Sequence, residues 1–312
     1  MIPERPLIER RILTAFDATP PRIPVLLGGC GSGRTSLLLR LAKLLGDNGS
    51  QYLDIERAAS TPEGFYESIT RESPYTLAPT NGNTQLFNRV VGDARGAFDA
   101  IFQFFQSAQA PNDRTPVFLI DELLELRTFE SFPGLRGIQR EVMQPLVASP
   151  NHFVLTTRYT SRAHRLLRDA PDRFEIIHIP PLSPAEVSAT LLASGVGRDD
   201  NERHDLSRMV HVLADGRPAY VQAIAKALTS MDGASSGDPV SALASQLAVG
   251  SHLTLLCRFS YELRLHRARG YGALKAILQV LAQQEPLTLT EISHRLSRTP
   301  GSTKDYLTWL QD

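Results

Sequence analysis

The chain has 312 residues, with 33 lysines and arginines against 33 aspartates and glutamates, eight histidines and two cysteines. That length allows two or three domains and a sizeable core, and the balanced charge gives no global bias towards polyanions. Cys30 and Cys257 are far apart without metal-type spacing, Met1–Arg11 is charged rather than leader-like, and no window is apolar for long enough to cross a bilayer. The expectation is a reducing, cytoplasmic setting and no membrane partner.

The first 24 residues are a lead-in, with a short helix over 7–16 and a Pro20-Pro21 break. The apolar run Ile23–Leu27 predicts a strand that ends in Gly28-Gly29-Cys30-Gly31-Ser32-Gly33-Arg34-Thr35 and runs into an amphipathic helix, Ser36–Leu45. Gly28 and Gly33 have the spacing of a P-loop, with Thr35 as its hydroxyl residue. Glycine is needed because side chains would keep the loop's N–H groups off a phosphate, and the helix points its positive end at the same place. Arg34 stands where the motif expects lysine. It stays cationic and offers two N–H groups, but a planar fork does not replace a compact ammonium. The change threatens fast hydrolysis more than binding.

Gln51–Ile55 predicts a second strand. Residues 61–84, polar and rich in Pro, Gly and Asn, predict a loop with at most one helical turn. Over 85–109, Val90, Ala94, Ala97, Phe98, Ile101, Phe102 and Phe105 recur at helical spacing, which predicts a core-facing helix. Residues 116–120 form a buried strand that delivers Asp121 and Glu122. A helix follows over 137–148, then a strand over 153–157 ending in Thr156, Thr157 and Arg158. A fifth strand, 174–179, is closed by Pro180-Pro181. Strands separated by helices imply a parallel sheet with helices on both faces and ligands at the strands' C-terminal ends.

Beyond Pro181 only helices are predicted: 183–193 with Ser183 and Glu186 as a capping box, then 202–214, 218–230, 240–249 and 252–267. Residues 232–238 read as a linker. Residues 287–296 and 301–310 form a helix-turn-helix pattern, in which Ser302, Thr303 and Lys304 could face a nucleic-acid groove. The wing of a winged helix is expected where the chain stops at Asp312, so the expectation is a truncated chain or a fold completed another way.

Asp121 and Glu122 at the end of an apolar strand fit magnesium coordination, with Asp121 acting through water, and a water-polarising base, Glu122. The ion would be shared with Thr35 and the β- and γ-phosphates. The competing reading is a pair of acids in the solvated first turn of a helix. Gly233-Ala234-Ser235-Ser236-Gly237 matches a hydrolase string, but a nucleophile elbow needs a strand before it and a helix precedes it here. The histidines show no metal spacing; His204 and His211 read as surface residues and His178 as structural. Arg158, Arg162, Arg165, Arg168 and Arg173 cluster against Asp169 and Asp172; of these, Arg162, Arg165 and Arg168 read as a solvated helix face or a polyanion contact.

On these residues the chain resembles, over nearly its whole length, a P-loop ATPase of the AAA+ and STAND group. Leu155-Thr156-Thr157-Arg158 resembles the sensor 1 segment in its NB-ARC form. Gly216-Arg217-Pro218-Ala219 resembles the Gly-Leu-Pro-Leu motif of the NB-ARC lid, departing from it at Arg217 and Ala219. Asp172-Arg173-Phe174, with Pro181-Leu182-Ser183, resembles the arginine-finger segment of oligomeric AAA+ proteins, origin-recognition ATPases included. Glu4-Arg5-Pro6-Leu7-Ile8 is similar to their adenine-side box.

The resemblance implies ATP or ADP with Mg²⁺, an α/β nucleotide-binding domain over 1–181, a helical lid over 182–267 and a winged-helix-like module over 268–312. Gly28, Gly29, Cys30, Gly31, Ser32, Gly33, Arg34, Thr35 and Ser36 would hold the phosphates. Thr35 and Asp121 would hold the metal. Glu122 would orient water, Thr157 or Arg158 would sense the γ-phosphate, and Arg5 and Pro218 would lie towards the base. Arg173 would either enter a neighbouring subunit's site or remain a surface arginine paired with Asp172 or Glu175. Three functions compete. One is an ATP-dependent switch whose lid closure controls self-assembly or a protein partner. The second is a DNA-binding initiator or transposition-type loader. The third is a scaffold with little turnover because of Arg34.

Overall fold

Five apolar runs form the strands β1 (Ile23–Leu27), β2 (Gln51–Asp54), β3 (Val117–Asp121), β4 (His152–Thr157) and β5 (Phe174–His178). They belong to a computed structural model that describes residues 4–46, 48–58, 61–77, 93–111, 114–230, 238–267 and 270–311. The strands make one parallel sheet in the order β2-β3-β4-β1-β5. Leu27 is in register with Thr157 and with His178, and Asp54 with Asp121, so the C-terminal ends finish along one edge. The connection leaving β1 runs to the far strand β2, while the later connections run the other way. Open α/β sheets place ligands beside such a reversal.

The central strands β1, β3 and β4 are buried on both faces, as a parallel sheet between helices requires, while the edge strands β2 and β5 are half-buried. One face carries the aromatic residues Phe65, Phe98, Phe105, Phe118, Phe129 and Phe153. Phe118 stacks on Phe153 at 5.4 Å between ring centroids, and Phe105 meets Phe118 edge-on at 4.8 Å. The phenylalanines of the helix Ala94–Ser107 are therefore core, as their spacing predicts. The other face packs Leu26, Leu119, Val154 and Ile177 against Ile12 of helix α1 (Pro6–Phe16) and Leu37, Leu38 and Leu41 of helix α2 (Arg34–Leu45).

Two local expectations are corrected. The polar stretch after Thr61 holds a full helix, Pro62–Arg71, whose first turn is capped by Thr61 Oγ1 accepting from the Gly64 amide at 3.0 Å. Phe65, Tyr66 and Ile69 give it a buried face. The cap, the proline at the first helical position and the apolar i,i+4 pair were all in the sequence. The helix expected over 137–148 is two pieces, Ile138–Glu141 and Met143–Ala148. Pro145 has no N–H to continue the ladder. Residues 78–92, with Val90, and 231–237, with the Gly233–Gly237 string, lie outside the described residues.

The chain divides into the units Ile2–Pro180 and Pro181–Asp312. In the second, the helices Pro184–Ala193, Asp200–Ala214, Pro218–Ser230 and Pro239–Leu247 share a core of Leu182, Val187, Leu191, Val210, Val221, Ile224 and Ala242. The expected capping box is formed, Ser183 N donating to Glu186 at 2.7 Å and Glu186 N to Ser183 Oγ at 3.3 Å. Helices His252–Arg267, Tyr271–Gln283, Leu289–Arg295 and Pro300–Gln311 complete this unit. Among the described residues no strand follows His178, and no single helix is long and apolar enough to cross a membrane. Thr303 is fully buried and donates to the Thr299 carbonyl at 3.0 Å, so it does not face a groove; Lys304 is exposed.

Candidate functional site

The loop between β1 and α2 is shaped by backbone conformations that L side chains avoid. Gly31 and Gly33 lie at φ +75° and +88°. A Cβ on Gly28 would sit 2.6 Å from Ser32 Oγ. Gly33 caps α2 without any side-chain bond, which leaves N–H groups of the first helical turn uncapped among the described residues. Those amides are what an anion at this point uses.

The acids come from β3. Asp121 closes the strand and Glu122 turns the chain at φ +56° before the 3₁₀ segment Leu123–Ser131. Both are buried, 2% and 5% exposed, which removes the reading of a solvated helix start. Three hydroxyls bond the Asp121 carboxylate. Thr35 Oγ1 donates to Oδ2 at 2.6 Å, Tyr52 Oη to Oδ2 at 3.0 Å, and Thr156 Oγ1 to Oδ1. Thr156 Oγ1 in turn accepts from the Glu122 amide at 3.1 Å. Burial first, and then the Asp121 charge, push the Tyr52 hydroxyl well above the ordinary tyrosine range, so it remains a donor.

Thr35 and Asp121 thus meet as hard oxygen donors, the chemistry that suits Mg²⁺. Among the described residues no group of three or more His, Cys, Asp or Glu could hold a metal alone. An ion here would take its other ligands from water and phosphate oxygens, which is the ordinary habit of Mg²⁺.

The Arg34 side chain bridges the loop and the acid after β3. Its Nη1 donates to the Gly29 carbonyl at 2.7 Å and its Nη2 to Glu122 Oε1 at 2.6 Å, with the side chain 8% exposed. Its Nε is buried with no hydrogen-bond partner among the described residues. Arg158 reaches the same glutamate from β4: its amide donates to Oε2 at 3.1 Å and its Nε lies 3.0 Å from Oε1. Its Nη2 pairs with Glu56, on the short helix Ile55–Ala58 that follows β2. Burial would raise the Glu122 carboxyl, but Arg34 and Arg158 together hold it below the usual range. Burial would likewise lower Arg158, yet Glu122 and Glu56 leave it raised.

The other expected residues are placed as follows. Thr157 is buried at the end of β4, and its Oγ1 accepts from the Tyr159 amide at 3.2 Å. Arg5 is buried, its amide donating to Glu9 at 3.1 Å. Arg40 of α2 bonds the same Glu9 at 2.5 Å and reaches Glu4 at 2.9 Å, tying the N-terminal box to the helix after the loop. Cys30 is exposed in the loop. Arg173 pairs with neither Asp172 nor Glu175. It donates to the carbonyls of Pro21 at 2.8 Å, Val147, and Ser149 at 3.4 Å, while Glu175 takes Arg11 and Arg22. The Ile23 amide donates to the Arg173 carbonyl, so this arginine lies at the end of β1 away from its own phosphate loop. In the second unit, Pro218 begins its helix and is buried. Gly216, at φ +58°, has room only for hydrogen: a Cβ would sit 2.6 Å from the Leu182 carbonyl oxygen.

Sequence reading missed Glu56 and Tyr52. Glu56 is one acid in a polar turn and carries no pattern; only the fold brings it to Arg158.

No family model matches the chain, and no curated protein matches it. Solved structures do. The chain is similar to the Walker-type ATPase of Pyrococcus abyssi, at 18% identity and a TM-score of 0.64, covering 98% of this chain and 89% of that one. It is similar to the ORC2 protein of Aeropyrum pernix, solved as ADPNP–ADP complexes, at 15% identity and a TM-score of 0.52, covering 97% and 83%. It is similar to the ORC1 protein of the same organism, solved with DNA, at 15% identity and a TM-score of 0.51, covering 99% and 83%. The fold is that of the P-loop ATPases of the AAA+ type.

Proposed function

We propose that this chain, built on the P-loop ATPase fold, binds ATP with Mg²⁺ and uses the bound nucleotide as a switch for lid closure and self-association. The observation that carries the reading is one convergence at the ends of β1, β3 and β4. The left-handed glycine loop, the Thr35 hydroxyl, Asp121 and Glu122 all meet there. The loop amides and Arg34 hold the phosphates. Thr35 and Asp121 hold the metal, which when bound neutralises charge on the phosphate oxygens. Glu122 can take a water proton only when Arg34 and Arg158 no longer both occupy its carboxylate. Turnover is therefore slow.

Calorimetric titration with ATP and ADP in the presence of Mg²⁺ tests the reading. Micromolar or tighter binding is expected, together with slow phosphate release that Glu122→Gln abolishes. Absence of binding by either nucleotide sinks it. Mass in solution with ADP and with a non-hydrolysable ATP analogue tests the switch, and an unchanged monomer counts against it.

A second reading, a DNA-binding ATPase, is favoured by the helix pair Leu289–Arg295 and Pro300–Gln311, whose first member carries a Thr288–Glu291 capping box. A band shift at low salt that disappears as salt rises supports it; no shift at low salt eliminates it.

A further inference from the structure

We infer that Glu56 sets the preference of the site for a triphosphate over a diphosphate, acting through Arg158. The inference rests on the nucleotide-binding reading above and deepens it. Four charges alternate in one row: Arg34, Glu122, Arg158, Glu56. The first three side chains are no more than a tenth exposed and Glu56 about a quarter. Within this row two guanidinium groups face two carboxylates, and the charge closes to zero.

Arg158 is the member that both carboxylates claim. Its amide donates to Glu122, its Nε lies in ion-pair range of the same carboxylate without making a hydrogen bond, and its Nη2 donates to Glu56. For this guanidinium to turn to a terminal phosphate it must give up part of that hold. At shallow burial an ion pair weighs little, but here the competing contacts are charge-assisted and largely screened from water. Glu56 therefore sets a threshold. A ligand lacking the third phosphate leaves Arg158 where it is. A ligand that has one must out-compete two carboxylates rather than one. Glu56 needs no contact with the nucleotide for this, so it is a positioning residue. Its place also explains why a lone acid in a polar turn is folded back towards the sheet: β2 is in register with β3, Asp54 beside Asp121, and the helix Ile55–Ala58 begins at the next residue.

The test is a set of affinities measured by calorimetry on the full chain with Mg²⁺, using ADP and a non-hydrolysable ATP analogue. Glu56→Gln keeps the shape and an acceptor oxygen but removes the charge. It is expected to tighten analogue binding by about tenfold, a scale set by one charge-assisted contact, and to leave ADP within about twofold of the starting protein by the same arithmetic. Glu56→Asp keeps the charge and returns the ratio towards its starting value. In an Arg158→Gln background, Glu56→Gln is expected to change neither affinity, because the coupled partner is gone. The inference is overturned if Glu56→Gln moves both nucleotides equally or moves neither, or if its effect survives in the Arg158→Gln background. Failure of the starting protein to bind either nucleotide is a different result; it removes the nucleotide-binding reading and this inference with it.

Discussion

Arg34 spans two acceptors, the Gly29 carbonyl and Glu122. A lysine offers one compact ammonium in place of this planar fork. Arg34→Lys is expected to release Glu122 and raise phosphate release at saturating ATP by about tenfold, which is ~1.4 kcal/mol of barrier. An unchanged or lower rate would show that the arginine is no brake. The same cluster fixes a pH dependence. Glu122 has a lowered pKa in the folded chain, so its charge stabilises the fold at pH above the unfolded value of about 4.3. That contribution is lost as pH falls from there through the lower folded value. Thermal midpoints measured across acid pH should therefore drop less steeply for Glu122→Gln than for the parent. Parallel curves would contradict the lowered pKa.

At the scale of elements, the junction of β1 and α2 depends on Gly33. Its φ of +88° is closed to an alanine without strain of about 1–2 kcal/mol. Gly33→Ala is expected to lower the thermal midpoint and to weaken nucleotide binding more than that loss of stability alone would. Calorimetry alongside thermal unfolding separates the two, and a variant with lowered stability but full affinity would count against the loop as the phosphate cradle. The elements were largely readable in advance. The strands are apolar runs with sharp ends, Ile23–Leu27 bounded by Pro21 and Gly28, and the helix Ala94–Ser107 shows its phenylalanine stripe. What escaped was of two kinds. Pro62–Arg71 hides its apolar residues among polar neighbours, and composition outweighed the cap at Thr61. The site was readable where it lies on contiguous motifs, the glycine loop and the Asp121-Glu122 pair. Tyr52 and Thr156, which bond those acids, and Glu56, which holds Arg158, depend on strand register, which local patterns do not encode.

At the scale of the whole chain, the residues that would hold the phosphates and metal all belong to the unit Ile2–Pro180, whereas Pro218 belongs to Pro181–Asp312. Differential scanning calorimetry can therefore locate the ligand. With nucleotide at a hundredfold over its dissociation constant, the transition of the first unit should gain about 2.7 kcal/mol. If the second transition stays put, Pro218 makes no contact with the base; if it rises as well, the base is shared.

The edge strand β2 has an unusual reach. Tyr52 within it bonds Asp121, and Glu56 just beyond its end holds Arg158. Bonds of this kind weaken steeply once stretched by about half an ångström beyond 3 Å. Anything leaning on that margin of the sheet would tug on Asp121 and on Arg158 together. The margin is thus a lever, and its fulcrum is the Asp54–Asp121 pairing.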